Sequence, residues 1–93
     1  MQGAEYEARL GTEVRNRINS VKNGLANRKA HPSYGYSKAM LRRELAQLEG
    51  LLYAHYLATS GTSVHLEGAA HMHGVEMFGV DTRALGSQIG RAK

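Results

Sequence analysis

The sequence predicts a mainly α-helical chain: an antiparallel two-helix hairpin over residues 1–61, followed by a Gly-rich, partly extended C-terminal arm over 62–93. Three observations predict it. Apolar residues recur at steps of three and four across residues 4–29 and again across 37–59, the period of a helix with one buried face. The only proline falls between those two stretches, beside a glycine and two tyrosines. Beyond residue 61 the helical period fades, and six of the eleven glycines lie between 61 and 90.

In the first helix, Tyr6, Leu10, Val14, Ile18, Val21 and Leu25 form one stripe, with Arg9, Glu13, Asn16 and Arg17 off it. Gly11-Thr12 is a weak point where Thr12 can cap a fresh start. Gly24 costs about 1 kcal/mol in a helix interior. Leu25 nevertheless continues the stripe, and Arg28 and Lys29 suit a helix C-terminus. Residues 30–36 form the loop, because Pro32 fixes its own φ and pushes His31 out of helical dihedrals.

The second helix starts at Ser37, a good N-cap. Leu41, Leu45, Leu48, Leu52 and Tyr56 step by three and four, widened by Met40, Leu51 and Leu57. Gly50 lies mid-helix, where a glycine is best explained by close helix–helix approach. A short loop between two amphipathic helices makes an antiparallel pair with coiled-coil-like packing. Two helices cannot enclose a core, so one flank should stay apolar and seek another element or subunit. The expected interface is Leu41, Leu45, Leu48, Leu52, Tyr53 and Tyr56 of the second helix, with Met72, Met77 and Phe78 of the arm.

Within the arm, Ser63 to Leu66 alternates like a strand. Residues 69–80 suit neither period and read as extended, a loose β-hairpin. Asp81 or Thr82 can cap a short last helix through Leu85, and residues 86–93 read as a tail.

Composition bounds the function. The chain has 93 residues, twelve Lys/Arg, eight Asp/Glu, five His and no Cys, a formal charge of +4. That excludes a large two-domain enzyme, a disulfide framework and a Cys-based zinc site. No apolar run approaches the ~18 residues of a membrane span. Acidic and basic residues arrive too early for a secretory leader, so an intracellular origin without membrane contact is expected. A chain this small buries only about 60% of its unfolded surface, which leaves a thin stability margin and favours association. Residues 1–47 carry +5 and residues 48–93 carry −1. A basic half fits either a solvated helix face or an anionic neighbour.

Several groups could carry chemistry. His65, His71 and His73 lie close together with Glu67 and Glu76. In extended chain His71 and His73 share a face, which makes the group a weak candidate for zinc or nickel. The spacing matches no strict metal pattern, so surface or interface imidazoles are the default, and a pH-sensitive interface is a third reading. His55 reads as a polar residue beside the second stripe. Tyr34 and Tyr36 sit in the loop beside Arg28, Lys29 and Lys38, and Arg42 and Arg43 follow. Aromatic rings beside cations can stack on unpaired bases, which makes a small basic nucleic-acid-binding protein the alternative reading. There is no phosphate-binding loop, nucleophile elbow or paired carboxylates in an apolar setting. No enzymatic activity, and no cofactor, is expected.

The run Val14, Ile18, Leu25-Ala26, a polar loop, Tyr36, then Leu45-Ala46-Gln47-Leu48-Glu49-Gly50-Leu51-Leu52-Tyr53-Ala54 resembles small helical-hairpin proteins encoded among the structural genes of tailed, especially short-tailed, bacteriophages. Their second helix carries a Leu-x-Gly/Glu-x-x-x-Gly-Leu-x-x-Ala flavour, which Glu49-Gly50-Leu51 and Ala54 match. The resemblance covers residues 14–54. It implies a virion structural or assembly role as a head, portal-vertex or connector accessory. It also implies further copies of the chain, or capsid or portal proteins, as partners. The implied location is the virion, and the host cytoplasm during assembly.

Overall fold

A computed structural model describes residues 2–60 and 68–92. They form four helices: α1 (Gln2–Ala30), α2 (Lys38–Ser60), α3 (Ala69–Phe78) and α4 (Thr82–Arg91). The described residues contain no strand.

The stripe of α1 is its buried face. Leu10, Val14, Ile18 and Val21 are buried, whereas Tyr6 at the first turns stays half exposed. Thr12 starts no new helix. Its hydroxyl donates to the Ala8 carbonyl at 3.1 Å, and α1 runs unbroken past it. At the C-terminal end His31 folds the turn back, its carbonyl accepting from Gly35 N at 2.7 Å. Ser37 then caps α2, its Oγ accepting from Met40 N at 3.1 Å. Leu41, Leu45, Leu48 and Leu52 form the buried face of α2.

Three contacts set the register of α1 on α2. Arg17 pairs with Glu44, Gly24 lies on Leu41, and Gly11 faces His55. Residue numbers rise along one helix as they fall along the other. The close-approach glycine is Gly24, since a Cβ there would lie 2.7 Å from Leu41 Cδ2 and 3.0 Å from Tyr36 Cδ2. Gly50 does not have the role expected of it: it is exposed, and a Cβ there would meet nothing within 4 Å.

The expected extended conformation of residues 69–80 is also corrected, because they form α3 and its exit turn. Gly79, at φ 62°, ends α3 in the left-handed region, where glycine carries no Cβ penalty. Val80 N then donates to Gly74 O at 3.1 Å. Asp81 caps α4, its carboxylate accepting from Ala84 N at 3.0 Å. The last helix is longer than the expected stretch to Leu85, running to Arg91, so residues 86–91 are helical. The reason is packing. Val80, Leu85 and Ile89 join the same core as the α1 and α2 stripes. Gly74 and Gly86 sit where α3 and α4 cross α2; added Cβ atoms would lie 3.0 Å from Leu52 Cδ1 and 3.5 Å from Leu45 Cδ2. The expected strand Ser63–Leu66, with His65 and Glu67, lies outside the described residues.

No helix among the described residues is long and apolar enough to cross a membrane.

Candidate functional site

The residues expected at an interface divide into two sets. Leu41, Leu45, Leu48 and Leu52 are buried in the chain's own core, so α3 and α4 cover the flank expected to stay open. Met72 and Met77 are exposed, at 52% and 56%, as is their neighbour Val75 at 40%. Tyr53, Tyr56 and Phe78 are half-buried. The Tyr53 and Tyr56 rings stack at 6.4 Å.

The exposed part of α3 adjoins a cluster of rings. His55 of α2, buried at 6% exposure, places Nδ1 2.7 Å from His73 Nε2 of α3. Phe78 stands edge-on to His55 at 5.0 Å, and Tyr56 edge-on to His73 at 5.7 Å. The Arg15 guanidinium lies over the Phe78 ring at 5.4 Å, within cation–π range. Arg15 makes no ion pair among the described residues. An open groove of about 510 Å³ runs between the start of α1 and the end of α3, past Glu7, Gly11, Arg15, His55, Met77 and Phe78.

The electrostatics of the cluster follow from the imidazole pair. One hydrogen bond between two imidazoles needs one donor and one acceptor, so at least one ring must be neutral. Burial holds the His73 pKa below its ordinary value, and His55 lowers it further against an opposing pull from Glu76. His55, expected beside the stripe, lies three residues after Leu52 and seven after Leu48. That spacing put it on the buried face from the start.

Of the weak metal candidates, His71 and His73 do not come together. On a helix, residues two apart point to different sides. His73 turns to His55, whereas His71 Nε2 contacts Asp81 Oδ1 at 2.9 Å. The geometry assumed for a shared ligand face was that of extended chain, and these residues are helical. Among the described residues no group of three or more His, Asp or Glu could hold a metal ion. His65 lies outside them.

The candidate nucleic-acid residues gather at the α1–α2 turn, and several are held there by structural contacts. Arg28 donates to the Tyr36 carbonyl at 2.9 Å, and Asn27 Oδ1 accepts from Tyr36 N at 3.0 Å. Tyr36 is half-buried against the core. Lys38 Nζ donates to Gly90 O at 3.0 Å, which brings the end of α4 to the turn. Lys29, Arg42 and Arg43 are exposed. Tyr34 is 79% exposed, and its ring stacks on His31 at 4.9 Å with an interplanar angle of 29°.

Comparison with family models, curated proteins and solved structures finds no match. Function therefore rests on the geometry of these two ends of the molecule.

Proposed function

We propose that the chain is a non-enzymatic structural or assembly protein that acts by docking on other proteins. The observation carrying this reading is the set of large apolar side chains that α3 leaves exposed, Met72 and Val75 on one side and Met77 on another. All three stay exposed after the core is complete, and Met77 lines a groove with Phe78 and Arg15. Methionine suits such a surface because its unbranched, polarizable side chain adapts to irregular partners.

The finer form of the proposal is an antiparallel helical-hairpin body, residues 1–61, with residues 62–93 as the docking segment. The setting is a tailed-phage particle, in which the chain meets capsid or portal proteins or further copies of itself. The likeness of residues 14–54 to small phage structural proteins supports that setting.

Light scattering on a sizing column, with the wild type and a Met72→Ser/Met77→Ser variant, tests the docking. A defined oligomer that the double variant breaks into monomers supports self-docking through α3. A monomeric wild type calls for the partner among particle proteins. Absence of the chain from both purified particles and assembly intermediates overturns the proposal.

A further inference from the structure

The described charges separate by end of the molecule. No Asp or Glu occurs in residues 19–43 or 84–92. The fold brings those segments to one end, since Lys38 reaches the Gly90 carbonyl and the α1–α2 turn lies beside them. That end carries Lys29, Arg42, Arg43 and Arg91, all exposed and none of them in an ion pair among the described residues. Every described carboxylate lies outside these segments, and Glu44, in the next turn of α2, is taken by Arg17 at 2.7 Å. The linear contrast between a basic first half and a near-neutral second half becomes a dipole along a body 47 Å long.

Helix stability explains only part of this. Lys29 and Arg91 stand in the last turns of α1 and α4, where cations suit the helix dipole. Arg42 and Arg43 do not. They stand near the start of α2, whose first turn holds no acid. In the second turn, at this N-terminal end, the dipole offers a cation no stabilisation. Tyr34 likewise adds nothing to the core. Its flat ring is presented to solvent and backed by His31. A cationic rim around an exposed, pre-stacked aromatic is the arrangement by which proteins hold unpaired bases and their phosphates.

We infer that the α1–α2 turn, with the start of α2 and the end of α4, is a contact surface for a single nucleic-acid strand, separate from the docking face of α3. Tyr34 stacks on a base, and Lys29, Arg42, Arg43 and Arg91 meet the flanking phosphates. Tyr36, Arg28 and Lys38 hold the turn in shape.

Fluorescence anisotropy with labelled single-stranded DNA, single-stranded RNA, a duplex of equal length and polyglutamate tests this on the full chain. Binding of a single strand should weaken with salt at a log–log slope of roughly −2 to −3, for three or four phosphates at about 0.7 each. Arg42→Glu/Arg43→Glu should weaken it at least tenfold, and Tyr34→Ala about fivefold or more, the lower end for one lost base stack. Tyr34→Phe, which keeps the ring, should stay within twofold of wild type. So should Arg9→Ala/Arg83→Ala, which removes two cations at the far end. All these side chains are exposed, and unchanged far-UV circular dichroism checks folding. Preference for DNA or for RNA names the strand and supports the inference either way. A duplex bound as tightly as the single strand overturns the stacking role. Polyglutamate bound as tightly moves the assignment to an acidic protein. Equal loss from the far-end variant, or no binding at low salt, overturns the site.

Discussion

The two ends of the molecule are held together by different kinds of contact. At the α1–α2 turn the fastenings are directional. Asn27 and Arg28 grip both backbone polar groups of Tyr36, Ser37 caps α2, and Lys38 closes on the α4 carbonyl of Gly90. At the α3 end most of the described side-chain contacts involve aromatic rings, including the Arg15 guanidinium over Phe78, with one imidazole–imidazole hydrogen bond and the His71–Asp81 contact to the cap of α4 beside them. Directional bonds fix one backbone geometry. Ring contacts keep much of their energy over a range of centroid distances and tilts. The difference shows how one small chain can carry a rigid, charged surface at one end and an adaptable apolar one at the other.

The largest expected effect comes from the element that ties the two ends together. Ile89 of α4 is fully buried in the shared core, and α4 runs from Asp81 near α3 to Gly90 beside the turn. Ile89→Ala should destabilise the whole chain by about 2–5 kcal/mol, the usual range for truncating a buried Ile. Urea unfolding followed by circular dichroism should show a lower midpoint within one transition. A change near zero would mean that α4 is a loosely attached arm, and the comparison between two coupled ends would collapse.

The next effect is a contrast between a glycine of α1 and one of α2. Gly24→Ala gains helix propensity, about 1 kcal/mol, but drives a Cβ against Leu41 and Tyr36. Leu41 is fully buried, and Tyr36 is held by Asn27 and Arg28, so neither can retreat easily. Overpacking of this kind costs about 1–3 kcal/mol, and the net outcome should be a loss. Gly50→Ala meets open space and should stabilise by about 0.5–1 kcal/mol through propensity alone. Thermal melts of both variants measure the two signs. Equal gains from both would show that the turn end is as yielding as the α3 end.

These two glycines also show what could be read in the sequence. The stripes of α1 and α2, the Pro32 turn and the Ser37 cap were legible because each is a local rule acting over many residues. Whether a helical glycine serves close approach depends on which side of the helix meets a neighbour, and Gly24 and Gly50 exchanged roles for that reason. The arm was misread for a related cause. The glycine-rich composition beyond residue 61 points away from helix, yet Gly74 and Gly86 each sit at a crossing with α2, and burial of Leu85 and Ile89 outweighs propensity. Of the site, Met72 and Met77 were legible as unmatched apolar residues and Tyr34 as an aromatic in a basic loop. The His55–His73 pair was not, because it requires knowing that α3 is a helix and lies on α2. The separation of charge by end was hidden for the same reason, since α4 reaches the turn only through the fold.

The smallest expected effect separates the ends by acidity. Burial, then His55, holds the His73 pKa below its ordinary value of 6.5, with Glu76 pulling the other way. The folded chain therefore favours neutral His73. As pH falls below about 6.5, the unfolded chain takes up a proton that the folded chain resists, and the free energy of unfolding falls with it. The stability this pair contributes is complete above that range and is lost on acidification. Asp81 behaves separately. The Ala84 N–H, then His71, lowers its pKa from 3.8, so its stabilising contribution persists until much lower pH. Between pH 7 and 5, hydrogen-exchange protection should therefore fall in α3 more than at Gly35 and Tyr36 of the turn, whose described fastenings involve no titrating imidazole side chain. His73→Gln retains an amide donor for His55 Nδ1 and cannot take up a proton, so it should flatten the response in α3. The loss should be modest, because a single hydrogen bond contributes only about 0.5–1.5 kcal/mol net. Equal loss of protection at both ends, or an unchanged slope in His73→Gln, would place the acid response outside the imidazole pair and remove the sharpest chemical difference between the two ends.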